Sequence, residues 1–426
     1  MNNFQSEIVG KKVLIFGLGR QGGGTGDAEW LKSHGATVRL SDKDTTLVKE
    51  GQTREQIDWA EIIIKNPGVP DDNELILYAK KSGKPVYTSI ALFVKYAPVK
   101  TIGVTGTRGK STTVALIADL LEAAYPGQVI RGGNIAGTSC LSLFDSLEGV
   151  AYAALELSSF QLHNFHELRV SPNIAVVTNL YPDHLNRYPS MDEYRLDKEA
   201  ICKYQDKTDL CIYNSDNPGA IDISRGSVAI HVPYSSVQCK DWQTTLPGAH
   251  NKENIAAMAA LARELGIKES VARDVVADFS GVPFRQEVIA TIAGVTYIND
   301  TTATTPTAAQ KALLAATTPT IWITGGDTKK LPFFDLIAEA GSCPLLKKIV
   351  ILGSKNIPDY VNALKDISGD KIVGTAMSMV EAVDLAKSLA EPGDTILLSP
   401  GFASFDLFEN EFDRGRQFNE YVASLT

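Results

Sequence analysis

Short runs of aliphatic and β-branched residues, each followed by a helix-compatible stretch, recur along the whole chain. That alternation is how parallel strands joined by crossover helices read in sequence, and it predicts an α/β protein. The first block has strands at KKVLIFG (11–17), TVRLSD (37–42), EIIIKNPGV (61–69) and PVYTS (85–89), with helices near 27–34 and 73–82. A second opens at TIGVTG (101–106) and runs through YAALELS (152–158), NIAVVTN (173–179) and DLCIYNS (209–215) to an Ala-rich helix at 251–265. Beyond GVPFRQEV (281–288), strands at VTYIND (295–300), PTIWITG (319–325), KIVILG (348–353) and TILLSP (395–400) alternate with helical segments. Three domains are therefore expected, at 1–97, 98–281 and 282–426. The length of 426 residues agrees, because single cores stop growing beyond about 250–300 residues.

Composition is that of an ordinary globular chain, with 44% hydrophobic and 21% charged residues, and excludes collagen-like, coiled-coil or largely disordered classes. Charge says more. Basic residues number 41 against 50 acidic ones, a net charge of −9, so no overall basic field exists to hold nucleic acid or an anionic membrane. Any phosphate site must be local. The five cysteines, at 140, 202, 211, 239 and 343, are odd in number and lack CxxC spacing, which argues against a disulfide framework or zinc site and for a reduced cytoplasm. The N-terminus lacks the charged-then-apolar pattern of an export signal, and no apolar run approaches the ~18 residues of a membrane span. Neither export nor membrane insertion is expected.

Three segments carry candidate chemistry. In GLGRQG, Gly17, Gly19 and Gly22 follow a strand and Asp42 follows the next, the spacing of a dinucleotide fingerprint. NAD(P), another nucleoside diphosphate and a plain Gly-rich turn all satisfy it, because any of the ligands offers a pyrophosphate and a ribose. In GTRGKST (106–112) a strand meets a helix, and the glycines free backbone N–H groups to cradle phosphate oxygens. Lys110 adds charge there, and Ser111 or Thr112 adds a metal-facing hydroxyl. Third, Glu156 ends one strand while Asp183 and His184 follow another, so acidic and imidazole ligands converge at the carboxyl edge of a sheet. Mg²⁺ is the natural guest beside a phosphate loop. The histidines at 34, 163, 166 and 231 read as surface or core residues.

The loop GTRGKST, the ELSSFQL strand, the DHLNRY turn and the lysine of EYRLDK, in this order and spacing, resemble the Mur ligase family of ATP-dependent peptide-bond-forming enzymes. GAHNKENIAA (248–257), FRQEV (284–288), INDTTATTP (298–306), TGGDTK (324–329) and SPGFASFDLFENEFDRG (399–415) narrow the resemblance to the branch that adds D-glutamate to UDP-N-acetylmuramoyl-L-alanine. The family implies Rossmann-like first and third domains around a central P-loop ATPase-like domain. It implies a monomer whose partners are small molecules: the nucleotide sugar, glutamate and ATP, with Mg²⁺.

Residue by residue, the resemblance places Gly17, Leu18 and Gly19 at the diphosphate, Asp42 and Lys43 near uridine, and Asn134, Ser159 and His184 at the sugar and alanyl end. Gly106, Thr107, Gly109, Lys110, Ser111 and Thr112 would hold ATP phosphates, Asn251 and Asn254 would face adenine, and Arg285 and Asp300 would meet phosphate or ribose. Ser111, Glu156 and His184 would serve the metal, with Lys198, which matches the lysine the family carbamylates. Lys110, His184 and Lys198 are the implied catalytic residues, and Thr304, Lys329 and Ser404 the implied holders of the glutamate carboxylates. Two positions depart from the pattern: Thr302 stands where a lysine is usual and Glu411 where an aromatic is usual. Lys330 and Phe412 are the neighbours that would make good the lost charge and ring.

Overall fold

The alternating pattern folds into three sheets in a computed structural model that describes residues 3–19, 23–135, 139–183, 188–244, 246, 249–328, 332–404 and 406–425. The first contains β1 (Lys12–Phe16), β2 (Thr37–Ser41), β3 (Ile62–Lys65) and β4 (Val86–Tyr87), all parallel, in the order β2-β1-β3-β4. β1 is apolar at every position after Lys12 because both its faces are covered. Val13 and Ile15 pack with Trp30 and Leu31, while Leu14 and Phe16 pack with Ile57 and Ile76 on the other side.

The second sheet contains β5 (Lys100–Thr105), β6 (Val129–Gly133), β7 (Tyr152–Glu156), β8 (Ile174–Val177), β9 (Leu210–Asn214) and β10 (Ile230–Tyr234). Its order is β10-β9-β8-β5-β7-β6, again all parallel. The chain goes from β5 to the far edge at β6, returns through β7 and then crosses to β8 on the opposite side. The strand order thus reverses around β5, which opens a crevice at its carboxyl end.

One apolar core joins these two sheets. Phe4, Trp30 and Phe93 from the first block meet Phe144 and Leu155 from the second, with Phe93 and Phe144 rings 5.1 Å apart. Asp27, on the helix Gly23–Ser33, reinforces the joint by accepting hydrogen bonds from Ser139 Oγ at 2.6 Å and the Leu141 N–H at 3.1 Å. Residues Met1–Phe279 accordingly form one compact unit, and Ser280–Thr426 form another.

The second unit holds β11 (Glu287–Ile292), β12 (Val295–Asn299), β13 (Thr320–Gly325), β14 (Leu346–Leu352), β15 (Ile372–Ala376) and β16 (Thr395–Gly401), ordered β11-β12-β16-β13-β14-β15. Only the β11–β12 pair is antiparallel among them, and it is bulged between Val288 and Ala290. At the sheet centre the buried Trp322 indole donates to the Ser399 carbonyl at 2.7 Å. No helix of the described residues is long and apolar enough to cross a membrane.

The α/β class and the central strands are as the pattern predicts, whereas β6, β10, β11 and β15 were not foreseen. All four are edge strands. An edge strand is covered on fewer sides and lacks the continuous apolar run of a central one. β10 carries Pro233, β6 ends in Gly132 and Gly133, and β15 contains Gly374.

Candidate active site

The crevice at β5 begins with the glycines. Gly106 has φ 153° and Gly109 φ 81°, a left-handed conformation that L-residues adopt at a cost. A Cβ on Gly106 would collide with the Thr178 hydroxyl, and one on Gly109 with the Asn254 side chain. The fifteen-residue helix Lys110–Ala124 therefore starts on a residue with no side chain to cap it, and its first-turn N–H groups point out of the loop as an anion cradle. Lys110 Nζ folds back over that loop, donating to the Gly106 carbonyl at 3.0 Å and the Thr107 carbonyl at 3.3 Å.

Beside the cradle lies Glu156, the last residue of β7. Ser111 Oγ donates to its Oε2 at 2.6 Å and Asn134 Nδ2 to its Oε1 at 3.2 Å. One buried carboxylate thus touches both the phosphate loop and the segment after β6. Lys198 is fully enclosed, on the helix Met191–Glu199, with Nζ over the Tyr194 ring at 4.8 Å. It donates to the Gly106 carbonyl at 3.0 Å and to Thr105 Oγ1 at 3.4 Å. Burial pushes its pKa well below the ordinary lysine value, and the charge of Lys110 adds to the shift, against the pull of Asp183, Asp197 and Glu156. The neutral amine is favoured.

Asn251 and Asn254 brace this loop from behind. Asn254 accepts from Thr113 Oγ1 at 3.2 Å and donates to Asn251 Oδ1 at 3.0 Å, so the pair is held against the root of the phosphate helix. Thr107 is fixed through its hydroxyl, which donates to the Tyr181 carbonyl at 3.2 Å and accepts from the Tyr181 N–H at 2.9 Å.

A second concavity of about 320 Å³ adjoins Asn134. The turn Gly17–Leu18–Gly19 after β1, Lys65 and Asn66 at the end of β3, and Ser158 and Phe160 ahead of and within the helix Ser159–His163 line it. Asp42 and Lys43 do not. Asp42 Oδ2 instead accepts from the Leu18 N–H at 2.8 Å and the Gly19 N–H at 3.4 Å, which ties the glycine turn to the end of β2, while Lys43 is exposed. Ser159 is buried at the start of its helix, next to the capping Ser158. Sequence reasoning missed Lys65 and Asn66, although the NPG turn that places them was visible in EIIIKNPGV. His184, Lys329 and Lys330 lie outside the described residues.

In the second unit, Phe284 (φ 66°) and Gln286 (φ 51°) flank Arg285, and these two unusual backbone states turn the arginine outward into solvent. Asp300, just after β12, accepts from the Gln286 N–H at 3.1 Å and from Ser399 Oγ at 2.8 Å. Thr302 spends its hydroxyl on the Phe284 carbonyl at 2.9 Å. Thr304 is partly buried in the same turn. Phe412 stands edge-on to Phe284 with centroids 6.0 Å apart, so a ring is present one residue beyond Glu411. Arg414, fully buried, braces the wall by donating to Thr301 Oγ1, the Thr301 carbonyl and the Phe402 carbonyl at 2.9, 2.9 and 3.1 Å. Ser404 Oγ is buried with no hydrogen-bond partner among the described residues, a polar atom that a ligand oxygen would satisfy.

Burial raises the Asp300 carboxyl from its ordinary value to about 6, against the lowering effect of Ser399, Gln286 and Arg285. A raised folded-state pKa contributes stability that is complete below the unfolded value and lost as pH rises through about 6. Native protein is therefore expected to lose about 2 kcal/mol relative to Asp300→Asn between about pH 4 and 7. Urea titrations followed through Trp322, the only tryptophan of this unit, measure it, and parallel pH profiles would contradict it.

The Mur ligase middle domain matches residues 104–227, and the Mur ligase glutamate ligase domain matches residues 284–402. A UDP-N-acetylmuramoylalanine–D-glutamate ligase from Roseiflexus sp. (strain RS-1) is 33% identical over 99% of this chain and 100% of its own length. One from Clostridium beijerinckii is 34% identical over 100% of this chain and 99% of its own. Among solved structures, UDP-N-acetylmuramate-alanine ligase from Thermotoga maritima superposes with a TM-score of 0.58 at 20% identity, over 98% of this chain and 100% of that one. MurF ligase from Thermotoga maritima in complex with ADP gives 0.58 at 16% identity, over 99% and 97%. Those two likenesses speak for the fold; the full-length relatives, with the phosphate loop, Glu156 and Lys198 gathered at one sheet edge, place this chain in the Mur ligase family.

Proposed function

We propose that this ligase adds D-glutamate to UDP-N-acetylmuramoyl-L-alanine at the expense of ATP, through an acyl phosphate, in peptidoglycan precursor synthesis in the cytoplasm, as a monomer. The observation that carries the reading is Glu156, whose two oxygens receive Ser111 from the phosphate loop and Asn134 from the rim of the 320 Å³ cavity. A nucleotide sugar in that cavity brings its far end toward the place where phosphate binds. Residues 1–97 would hold the uridine diphosphate, 98–281 the ATP, and 282–426 the incoming amino acid.

The donors fit Mg²⁺, a hard cation that takes oxygen ligands and leaves room for phosphate and water. Ser111 and Glu156 would hold it, together with His184, and it would supply neutralisation of phosphate charge. Lys198 fits that company only as a carbamate, since an ammonium would repel the ion. Lys110 and the first-turn N–H groups of the helix Lys110–Ala124 orient the γ-phosphoryl group and spread its charge as the alanyl carboxylate attacks in line. The amine of glutamate then attacks the acyl phosphate and phosphate leaves. Both steps depend on alignment more than on any unusual side chain.

Thr304, Ser404 and Lys329 are the proposed holders of the two carboxylates, with Arg285 and Asp300 toward the nucleotide and Asn251 and Asn254 toward adenine. L-glutamate is the second reading, because Thr302 supplies no cation and Glu411 adds an acid beside this pocket. The enantiomers are separated by kcat/KM: D is expected to exceed L, and a preference for L by more than about tenfold, ~1.4 kcal/mol, rejects D-glutamate. Thr302→Lys is expected to raise turnover with D-glutamate where the missing cation limits the rate.

A further inference from the structure

His163 ends the helix Ser159–His163 and sits between two carboxylates from different parts of the first unit. Its Nδ1 is 2.8 Å from Asp197 Oδ1, on the helix Met191–Glu199, and its Nε2 is 3.3 Å from Asp71 Oδ2, on the loop after β3. Each carboxylate is anchored in turn. Asp197 Oδ2 accepts from the Tyr188 hydroxyl at 2.8 Å, and Asp71 accepts from Lys65 at 2.9 Å and Lys80 at 3.0 Å. Lys80 also reaches Glu167, on the short helix Phe165–Leu168. Lys65, almost wholly enclosed, lines the nucleotide-sugar cavity, as do Asn66, Pro67 and Gly68 of the loop that leads to Asp71. On the other side, Asp197 precedes Lys198, whose amine lies over the phosphate loop.

We propose that His163 is a positioning residue for ligation, a clamp that joins the cavity loop after β3 to the helix carrying Lys198. The inference rests on the ligase reading above and adds a residue to it. Only a doubly protonated imidazole donates to both carboxylates at once. A neutral ring keeps one of these bonds and turns a lone pair toward the other oxygen. The groups around it are Asp197 and Tyr188 on one side and Asp71, Lys65, Lys80 and Glu167 on the other, and their balance favours the cation: the hydrogen bond it donates to Asp197 holds the imidazole pKa above its usual value, against burial. With that sign, the clamp is complete below the ordinary histidine range and opens as pH rises through the raised value. It would hold Lys198 in register with the phosphate loop and, through Lys65, with the sugar cavity.

The test compares native protein with His163→Ala, His163→Gln and Asp71→Asn in phosphate release from ATP, UDP-N-acetylmuramoyl-L-alanine and glutamate under saturating bicarbonate. Near pH 6 the kcat of His163→Ala is expected to fall about tenfold with KM for ATP almost unchanged, and the two profiles are expected to converge toward about pH 9. His163→Gln, able to donate to one carboxylate, should fall between them, and Asp71→Asn should flatten the pH dependence in the same way. A native-to-variant ratio constant with pH, or lost thermal stability at unchanged kcat, overturns the clamp. Where His163→Ala does not fold, the other two variants carry the same comparison. Absence of turnover in native protein would count against the ligase reading instead, and amide exchange then decides the clamp alone. Helix Met191–Glu199 should exchange more slowly in native protein than in His163→Gln at about pH 6 and equally at about pH 9, and equal exchange at both rejects the proposal.

Discussion

Lys110→Ala is expected to lower kcat by at least about three orders of magnitude, ~4 kcal/mol of transition-state stabilisation, while UDP-N-acetylmuramoyl-L-alanine binds as before. In the free protein the Lys110 ammonium donates to two loop carbonyls, Gly106 and Thr107. Its value lies in the transition state, where charge spreads over a phosphoryl group that the helix N–H groups hold but do not neutralise. The cavity proposed for the nucleotide sugar is built from other segments: the Gly17–Leu18–Gly19 turn, the end of β3, Asn134, and Ser158, Phe160 and Gln161. Hydrogen bonds tie it to the phosphate loop through Ser111, Glu156 and Asn134, and neither bond is made by Lys110. Calorimetric titration with the nucleotide sugar in the absence of ATP checks binding, and a phosphate-release assay checks turnover. Parallel loss of both would mean that the two sites are one, against the assignment of phosphate and uridine to separate blocks.

What sequence discloses depends on how many constraints a residue meets at once. The phosphate loop was legible because a strand, two obligatory glycines, a lysine and hydroxyls must coincide, and each glycine proves to have a neighbour that excludes a side chain, Thr178 for Gly106 and Asn254 for Gly109. Central strands were legible for a similar reason, since burial on both faces forces continuous apolar runs. Four edge strands, β6, β10, β11 and β15, met half those constraints and passed as loops. Asp42 shows a different limit. Its spacing marked it as a residue to grip a ribose, but its carboxylate is taken up by the Leu18 and Gly19 N–H groups and does not line the cavity. His163 shows a third, because the two carboxylates that give it a role are far from it in sequence, at 71 and 197. Phe412, one residue beyond Glu411, stands edge-on to Phe284, and that contact joins segments more than a hundred residues apart.

The second large effect concerns Lys198. Stripping carbon dioxide from the buffer is expected to depress activity severely, and bicarbonate to restore it along a saturating curve. Carbamylation forms a bond between Nζ and the carbon of CO₂ as the nitrogen gives up a proton to solvent, and it requires the amine to be neutral beforehand. Among the described residues Lys198 makes no ion pair and donates only to neutral oxygens, in a site where burial and the charge of Lys110 together hold the amine's pKa far below the lysine range. Both influences shift the balance toward the neutral amine that carbamylation needs, more than at an exposed lysine. The product replaces a nitrogen within the field of Glu156 with an anionic oxygen donor, which a divalent cation favours. Lys198→Met keeps the length and apolar stem of the side chain but cannot take up CO₂, so its fold should persist while kcat falls by about two to three orders of magnitude, ~3–4 kcal/mol. Carbon-13 NMR in labelled bicarbonate should show a carbamate signal in native protein that Lys198→Met lacks. Full activity of the native chain in a carbon-dioxide-free assay would remove the carbamate and leave Lys198 as a buried amine that only braces Gly106.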